Sequence, residues 1–331
     1  MNNLKKIGLS ALAGSLVAFS ANAVELTVSG TAEVTYSTIK TTGVNQVFGG
    51  NPMGSNTSLK FNGSGDVGFG TATIRRTIND GMSAYLSAWQ TLDMGSLGTV
   101  SFDAIGGELA GLTPNDDLLP TAYEEIWNGV SSSGVSGASS NDTLGYANSY
   151  GPLSFSLAHT KGGTAGSGDG NVAAETGQSI TDMAVSIDGS MLIDGLTIAA
   201  ATSSTDGLNN GTDASANVGH VLYSTGQVSV GYRLASNQPG SNNATSTTGK
   251  NIEAYSIAFA VNDELSISYG EQETEYDIPS NTVSNITEEV TALNASYTVG
   301  AASIRGTLSE ASNDGGVQSD EAEMMEISLV L

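Results

Sequence analysis

Apolar and polar residues alternate along most of this chain, which is the period-two pattern of a β-strand with two unlike faces. The stretch 253–261 illustrates the pattern, because its odd-numbered positions from 255 onward are large and apolar: Tyr255, Ile257, Phe259 and Val261. Asn262 and Asp263 then give a turn signal before a second alternating stretch, 265–269. We predict a tight hairpin here, and a fold in which strands dominate.

The same hairpin pattern recurs along the chain, and short turns alternate with long polar loops such as 271–287. This is the layout of an up-and-down membrane barrel, which has short turns at one end and long loops at the other. We therefore predict an all-β fold, a closed antiparallel transmembrane β-barrel of about sixteen strands. The predicted strands are 24–37, 57–62, 69–78, 83–92, 99–104, 143–150, 153–161, 179–188, 196–204, 217–224, 227–236, 253–261, 265–269, 289–298, 302–311 and 323–331.

The first 23 residues are typical of a cleaved secretory signal peptide. Lys5 and Lys6 precede an apolar run, and Ala21-Asn22-Ala23 is a cleavage site of small residues. We expect residues 1–23 to be removed and residues 24–331 to form one exported domain. Beyond the signal, no apolar run approaches the about 20 residues of a membrane-spanning helix, so a membrane-embedded form would have to be a barrel.

The charge of the chain excludes several classes of partner and site. Ten Lys and Arg residues stand against 34 Asp and Glu residues, which gives a formal net charge of −24. Proteins that bind nucleic acid need basic patches, so no nucleic-acid partner is expected. The chain has no cysteine, which excludes disulfides and thiolate metal sites.

One long segment, from Leu97 to Asn141, opens as a strand and then loses the alternation. Insertions of this length are usually functional or disordered. Thr121 and Glu124 make a capping box before a short predicted helix, and Gly129 suits the position just past its end. The segment carries five carboxylates: Glu108, Asp116, Asp117, Glu124 and Glu125. We predict that residues 106–141 fold into the barrel as an acidic constriction loop; the alternative is an acidic loop outside it.

Basic residues are rare, and the alternation around them predicts which way they face. With their apolar neighbours set outward, four of them fall on the inner wall: Lys60, Arg75, Arg233 and Arg305. A guanidinium that faces lipid near the midplane costs roughly 2–4 kcal/mol, so the inward placement is also the favourable one. These residues are either cationic partners of the acidic loop or solvated wall residues without a role in selectivity.

The sequence offers little catalytic chemistry. The chain has two histidines, His159 and His220, and neither lies beside a nucleophile motif. Phosphate-binding glycine motifs and metal-ligand spacings are also missing from the sequence. We therefore predict no enzymatic activity, no metal site and no cofactor. Residues 167–171 are faintly similar to a calcium-binding turn, which leaves loop-bound calcium as an alternative.

Three stretches resemble the general-diffusion porins of Gram-negative bacteria, closest to the alphaproteobacterial type. Residues 58–68 resemble the early hairpin of that family, Leu97-Gly98-Thr99-Val100 resembles the strand before its third loop, and residues 144–160 resemble the next hairpin. The chain departs from the family at Ala104-Ile105-Gly106, where an arginine is common, and at Leu331, where phenylalanine is usual.

The resemblance implies a sixteen-stranded barrel in the outer membrane of a Gram-negative bacterium, usually a homotrimer. It implies a water-filled channel for the passive diffusion of small hydrophilic solutes and ions, with outer-membrane lipids as its surroundings. In such porins an acidic inward loop faces basic wall residues. The surplus of carboxylates predicts a weak preference for cations. The alternative is an exported structural or adhesive β-rich surface protein without a pore, which a fixed repeat period would favour.

Overall fold

A computed structural model describes most of the chain after the predicted signal peptide. The described residues are 25–41, 51–79, 85–105, 118–130, 135, 142–162, 178–207, 211–240, 248–278 and 284–331. The predicted signal peptide, the loop carboxylates Glu108, Asp116 and Asp117, and the calcium-like turn at 167–171 lie outside them.

These residues form an all-β fold of eighteen strands in one antiparallel sheet. The strands are β1 (Glu25–Thr31), β2 (Glu33–Thr41), β3 (Met53–Ser55), β4 (Ser58–Asp66), β5 (Thr71–Asn79), β6 (Tyr85–Asp93), β7 (Thr99–Ile105), β8 (Thr143–Tyr150), β9 (Leu153–Thr160), β10 (Ile180–Asp188), β11 (Leu196–Thr205), β12 (Ala214–Thr225), β13 (Val228–Gln238), β14 (Gly249–Ala260), β15 (Leu265–Asp277), β16 (Ile286–Val299), β17 (Ala302–Ser312) and β18 (Glu321–Val330). Three single 3₁₀ turns occupy Gly95–Leu97, Gly189–Met191 and Asp314–Gly316. Over the described ranges, no helix has the length and apolarity needed to cross a bilayer.

Consecutive strands pair with one another from β4 through to β18, as a series of hairpins. The first strands connect the two ends of this series: β18 pairs with β2, β2 with β3, and β1 with β4. Thr31 lies opposite Ser58 and Val34 opposite Ser55. The β1–β4 and β2–β3 ladders therefore share one register.

The strand count differs from sixteen because of two short interruptions. β1 and β2 are parts of the predicted first strand, separated at Ala32, whose backbone exchanges hydrogen bonds of 3.1 and 2.8 Å with Leu331. β3 precedes β4 by two residues and was not predicted, because residues 51–56 are mostly polar or glycine and show no alternation.

The acidic run Glu271–Glu275, predicted to be loop, is in fact the second half of β15. Its even-numbered neighbours Gln272, Thr274 and Tyr276 are buried, while the odd-numbered glutamates point to the opposite face. The alternation continues in this run, but uncharged polar residues alternate with glutamates, so the run lacks the apolar positions that would have predicted a strand.

The two faces of the sheet have different compositions. The outer face exposes large apolar side chains and five tyrosines: Tyr36, Tyr232, Tyr255, Tyr269 and Tyr297. The inner face carries buried small and polar side chains such as Ser256, Ser268 and Asn294. An apolar face turned to the surroundings and a polar face turned inward are the reverse of a water-soluble β-sandwich, whose apolar faces pack on each other.

Candidate functional site

Residues 118–130, the longest described part of the insertion, pack against the inner face of the sheet. Leu119, Ile126 and Val130 are buried in one apolar cluster with wall residues of β14 and β16–β18. The wall members of this cluster are Ala254, Val290, Ala292, Ala311, Ala322 and Met324. Val135 is buried against inner-face residues of β10–β14. The described part of the insertion therefore lies along the inner face, over the strands from β10 to β18.

Two glycines of the inner face leave room for residues 118–130. A Cβ atom at Gly231 would lie 2.6 Å from Pro120 and 2.8 Å from Leu119. A Cβ atom at Gly270 would lie 2.6 Å from Ile126. Since these distances are shorter than real Cβ contacts, any larger residue at either position would have to move the segment or the wall.

Hydrogen bonds from three neighbouring strands also fix the backbone of the segment. The bonds run from Ser256 Oγ to Pro120 O (2.9 Å), from Ala122 N to Ser268 Oγ (2.8 Å) and from Glu124 N to Asn294 Oδ1 (3.2 Å). The three wall residues belong to β14, β15 and β16, so the backbone from Pro120 to Glu124 crosses three strands in succession.

The segment does not form the helix predicted to start after Thr121. Between residues 118 and 130 the backbone forms turns, with bonds from Asn128 N to Glu125 O (3.2 Å) and from Val130 N to Trp127 O (3.3 Å). These bonds reach back three residues and do not continue into a helix. The capping box is a local signal, and the contacts with the wall override it.

Tyr123 brings the segment to two wall carboxylates that were not predicted as site residues. Its hydroxyl donates to Glu326 Oε1 at 2.7 Å and lies 3.3 Å from Glu33 Oε1. Ser37 donates to the second oxygen of Glu326 at 2.7 Å, and Ser328 donates to Glu33. Burial raises the pKa of Tyr123, and the bond to Glu326 acts in the same direction. The phenol therefore stays protonated and remains a hydrogen-bond donor.

Two of the predicted wall arginines stack on aromatic rings of the segment. The guanidinium of Arg233 lies 4.6 Å from the centre of the Trp127 ring and donates to Gln272 Oε1 at 3.1 Å. Arg233 is fully buried. The guanidinium of Arg305 lies 5.6 Å from the ring centre of Tyr123. Because cation–π attraction is strongest when the pair is desolvated, the Arg233 stack should be the stronger anchor.

Glu124 is half-buried in this segment, and its pKa is raised. Burial disfavours its charged form, and the neighbouring carboxylate of Glu125 adds like-charge repulsion; together with a smaller effect of Glu326 they raise the pKa of Glu124 to about 7. A glutamate with an ordinary pKa is fully ionised at neutral pH. The charge on this segment therefore changes within the neutral range.

The other two predicted basic residues occupy a separate part of the inner face, on β4 and β5. Arg75 donates through Nε to Asn62 Oδ1 at 2.7 Å, and its guanidinium lies 4.6 Å from the centre of the Trp89 ring. Lys60 lies opposite Thr77 in the same ladder. Arg75 and Lys60 are thus neighbours on one patch of wall, on strands other than those that contact residues 118–130.

A further cationic stack holds the β17–β18 connection against the sheet. Lys250 Nζ lies 4.9 Å from the centre of the Tyr276 ring, and the hydroxyl of Tyr276 donates to Glu288 Oε2 at 3.3 Å. Glu288, which is fully buried, also accepts a bond of 2.7 Å from Gly315 N. Burial, followed by the charges of Glu288 and Asp320, raises the pKa of Asp314 in this connection.

Some of the predicted site residues are among the described residues, and others are not. Glu124, Glu125, Arg233 and Arg305 are held on or beside residues 118–130, whereas Glu108, Asp116 and Asp117 lie outside the described ranges and stay predictions. Glu33 and Glu326 were missed, although the signal was available. Their neighbours Val34 and Ile327 are apolar and exposed, so alternation places both glutamates on the inner face.

The two histidines occupy strands of the sheet. His220 is buried on the inner face of β12, opposite Arg233 in the ladder. His159 Nδ1 lies 2.9 Å from Thr181 Oγ1 on the neighbouring strand. Among the described residues, no cluster of three or more His, Asp or Glu side chains could hold a metal ion.

Solved structures of outer-membrane proteins share this architecture. An anion-selective porin from Comamonas acidovorans has a TM-score of 0.64 and 14% identity over 92% of this chain and 99% of its own. For Salmonella typhi OmpF in complex with daunomycin the TM-score is 0.66 and the identity 13%, over 92% and 97% of the two chains. The trimer form of OmpT from Vibrio cholerae has a TM-score of 0.61 and 11% identity, over 92% and 99%.

Sequence comparison adds nothing to this result, since no protein-family model matches the chain and no curated protein matches it in sequence. The likeness is one of fold, and it extends over almost the whole of both chains in each pair. The antiparallel sheet, its apolar outer face and the insertion on its inner face agree with that likeness. The chain therefore has the porin-type fold of the outer-membrane β-barrels of Gram-negative bacteria.

Proposed function

We propose that this protein is an outer-membrane porin, a water-filled channel through which small hydrophilic solutes and ions diffuse passively. The observation that carries the proposal is the packing of residues 118–130 against the polar inner face of a porin-type sheet. A segment in that position lies inside the barrel that the sheet would enclose, and it narrows the passage. Residues 1–23 direct the chain to export, and the apolar outer face suits the lipid of the outer membrane.

The channel requires a closed sheet, and we propose a closed barrel of sixteen strands. Three pairings support closure: β18 with β2, β2 with β3, and β1 with β4. When β1 is joined to β2 and β3 to β4, as their common register allows, the eighteen strands become sixteen. Closure also has a physical reason, because an open strand in lipid would leave backbone groups unpaired at several kcal/mol each.

Residues 106–141 form the acidic constriction loop of this channel in our proposal. Its carboxylates are Glu108, Asp116, Asp117, Glu124 and Glu125, and the basic wall residues are Lys60, Arg75, Arg233 and Arg305. The contacts of Tyr123 add Glu33 and Glu326 to the acidic side. Arg233 and Arg305 stack on aromatic rings of the segment, so Lys60 and Arg75 are the better candidates for contact with passing ions.

This balance of charge leads us to propose a weak preference for cations. Carboxylates outnumber the basic residues near the segment, and a negative lining raises the local concentration of cations. The preference should fade with salt, because the Debye length falls from about 10 Å at 0.1 M to about 3 Å at 1 M.

The test is the zero-current potential across a tenfold KCl gradient in a planar bilayer, starting near 0.1 M. The wild-type channel should favour cations. Neutralising Asp116, Asp117, Glu124 and Glu125 together should shift the potential toward anion preference, whereas Lys60→Ala with Arg75→Ala should strengthen the cation preference. Glu289→Gln, which changes an exposed carboxylate of the outer face, is the control and should have no effect. An anion-selective wild type, or a fourfold variant without effect, would contradict the role of the loop.

We further propose that the protein forms a homotrimer surrounded by outer-membrane lipids. One structural neighbour was solved in a trimer form, and the general porins that the sequence resembles are usually trimeric. Mass measurement of the purified protein in mild detergent tests this proposal.

We propose no enzymatic role. We favour the channel over a structural or adhesive surface protein, because consecutive hairpins of unequal length do not form a fixed repeat.

A further inference from the structure

The edge of the sheet that carries the short turns exposes large apolar side chains at one turn after another. Because the strands are antiparallel, the turns after β4, β6, β8, β10, β12, β14 and β16 all lie at this edge. At or beside these turns, Phe69, Leu97, Tyr150, Leu192 and Val299 are exposed by 70, 68, 63, 82 and 56%, respectively. Two turns are polar exceptions: the turn between β12 and β13, with Thr225, Gly226 and Gln227, and the turn between β14 and β15, with Asn262, Asp263 and Glu264.

The turn between β10 and β11, residues 189–195, carries the densest group of these side chains. Met191, Leu192 and Ile193 are consecutive and are exposed by 84, 82 and 53%. In the other short turns at this edge, no two large apolar residues are consecutive. Three exposed apolar neighbours on a connection form the kind of patch that marks an interaction surface.

The turn is held in a fixed shape, so this exposure is built into it. The Asp188 side chain accepts from Ser190 N at 3.0 Å, and Leu192 N donates to Gly189 O at 2.8 Å. Gly195 has a φ of +83°, and a Cβ there would lie 1.9 Å from Ser224 O of the neighbouring strand. The turn is thus fastened to β12, and its tip cannot fold back to bury the three side chains without breaking these bonds.

The flanking strands indicate what covers the tip. Ile187 on β10 and Ile198 on β11 are opposite each other in the ladder, and both are exposed on the outer face. The tip therefore continues the apolar outer face beyond the ends of the strands. A second copy of the chain could cover one side of the barrel only, whereas exposed apolar turns lie between β4 and β11 and again between β16 and β17. Lipid is the partner that surrounds the whole circumference.

We infer that the 189–195 turn is a lipid anchor, which inserts Met191, Leu192 and Ile193 into the boundary between headgroups and acyl chains of the phospholipid leaflet. This inference rests on the proposed function, since it requires a barrel embedded in a membrane. The residues nearest the tip carry Asp188 and Asp194 and no Lys or Arg, so the attraction is apolar and needs no anionic lipid. Zwitterionic phosphatidylcholine is therefore a sufficient probe.

The absence of cysteine from the sequence allows a direct test by site-directed spin labelling. Leu192→Cys is labelled with a nitroxide, the protein is reconstituted in phosphatidylcholine vesicles, and power saturation compares access by oxygen, which enriches in lipid, with access by a water-soluble nickel chelate. Ile257→Cys on the outer face serves as the lipid control and Thr225→Cys on the polar turn as the water control. We expect the oxygen-to-nickel ratio at 192 to lie near that at 257 and several-fold above that at 225.

Each other outcome overturns the inference in a recognisable way. A ratio at 192 equal to that at 225 means that the tip lies in water. Spectral broadening at 192 that disappears when unlabelled chain is mixed in means that a second copy covers it. If the control at 257 itself is open to nickel, the membrane-embedded barrel fails, and with it the proposed function; a failure at 192 alone leaves the proposed function standing.

Discussion

Glu124 is a residue whose charge should respond to pH near neutrality. Its pKa is raised to about 7, first by burial and then by the charge of Glu125. Below that pH the side chain is mainly neutral, and above it mainly negative. We expect the proposed cation preference to increase as the pH rises from about 6 to about 8, which zero-current potentials at a fixed KCl gradient can measure.

Two variants make this expectation specific. Glu124→Gln should remove the step near pH 7, and Glu125→Gln should move its midpoint to lower pH, because it removes a neighbouring negative charge. A step that survives in Glu124→Gln would assign the titration to another group.

The same shift predicts how stability depends on pH. Since folding raises the pKa of Glu124 from 4.5 to about 7, the free energy of unfolding should fall as the pH rises through that interval.

Alternation along a strand predicts on which face of the sheet a single side chain lies. Arg233 lies between the exposed Tyr232 and Leu234, and its burial follows from parity alone. The partner of its guanidinium could not be predicted, because Trp127 lies more than a hundred residues away on an irregular segment. Glu33 and Glu326 obey the same parity, but parity gives only the face of the sheet and does not show that Tyr123 of the insertion reaches them.

At the scale of elements, the course of residues 118–130 was the least predictable feature. Tyr123, Ile126 and Trp127 contact β18, β15 and β13 respectively. Neighbouring strands are about 4.8 Å apart, whereas a helix rises only about 1.5 Å per residue, so one helical turn could not reach across these strands. A capping box describes the nearest residues only, and it contains no information about a wall that is formed by distant strands.

The fit between this segment and the wall yields a prediction for Gly270 and Gly231. Gly270→Ala and Gly231→Ala should each push residues 118–130 away from the wall, because the added methyl group would overlap Ile126 or Pro120. Overpacking of this kind costs about 1–3 kcal/mol. We expect a lower unfolding temperature in detergent and a lower single-channel conductance, since the displaced segment moves into the passage.

Gly219→Ala is the matched control for these two substitutions. Gly219 also lies within a strand, but a Cβ there would meet its nearest neighbour, Ala199 O, at an ordinary 3.9 Å. The single-channel conductance of the Gly219→Ala variant should equal that of the wild type. Unchanged conductance in both Gly270→Ala and Gly231→Ala would mean that the segment does not border the conducting space.

At the scale of the whole molecule, the proposed closure of the sheet, through the pairings of β2 with both β18 and β3, predicts resistance to denaturation. A closed sheet has no edge strand at which detergent can begin to separate the ladders. We expect unheated protein to migrate differently from boiled protein on a denaturing gel. Identical migration of the two samples would argue for an open sheet, and therefore against a channel.

The stacking of arginines on tryptophans has an optical consequence. The chain contains two tryptophans, Trp89 and Trp127, and each faces a guanidinium at 4.6 Å on the inner side of the sheet. The tryptophan emission of the native protein should therefore report on the interior of the barrel and not on its lipid-facing wall. Iodide that enters the proposed passage should quench this emission, while phospholipids brominated along their acyl chains should leave it unchanged, so the two native tryptophans can report the entry of a solute without any added label.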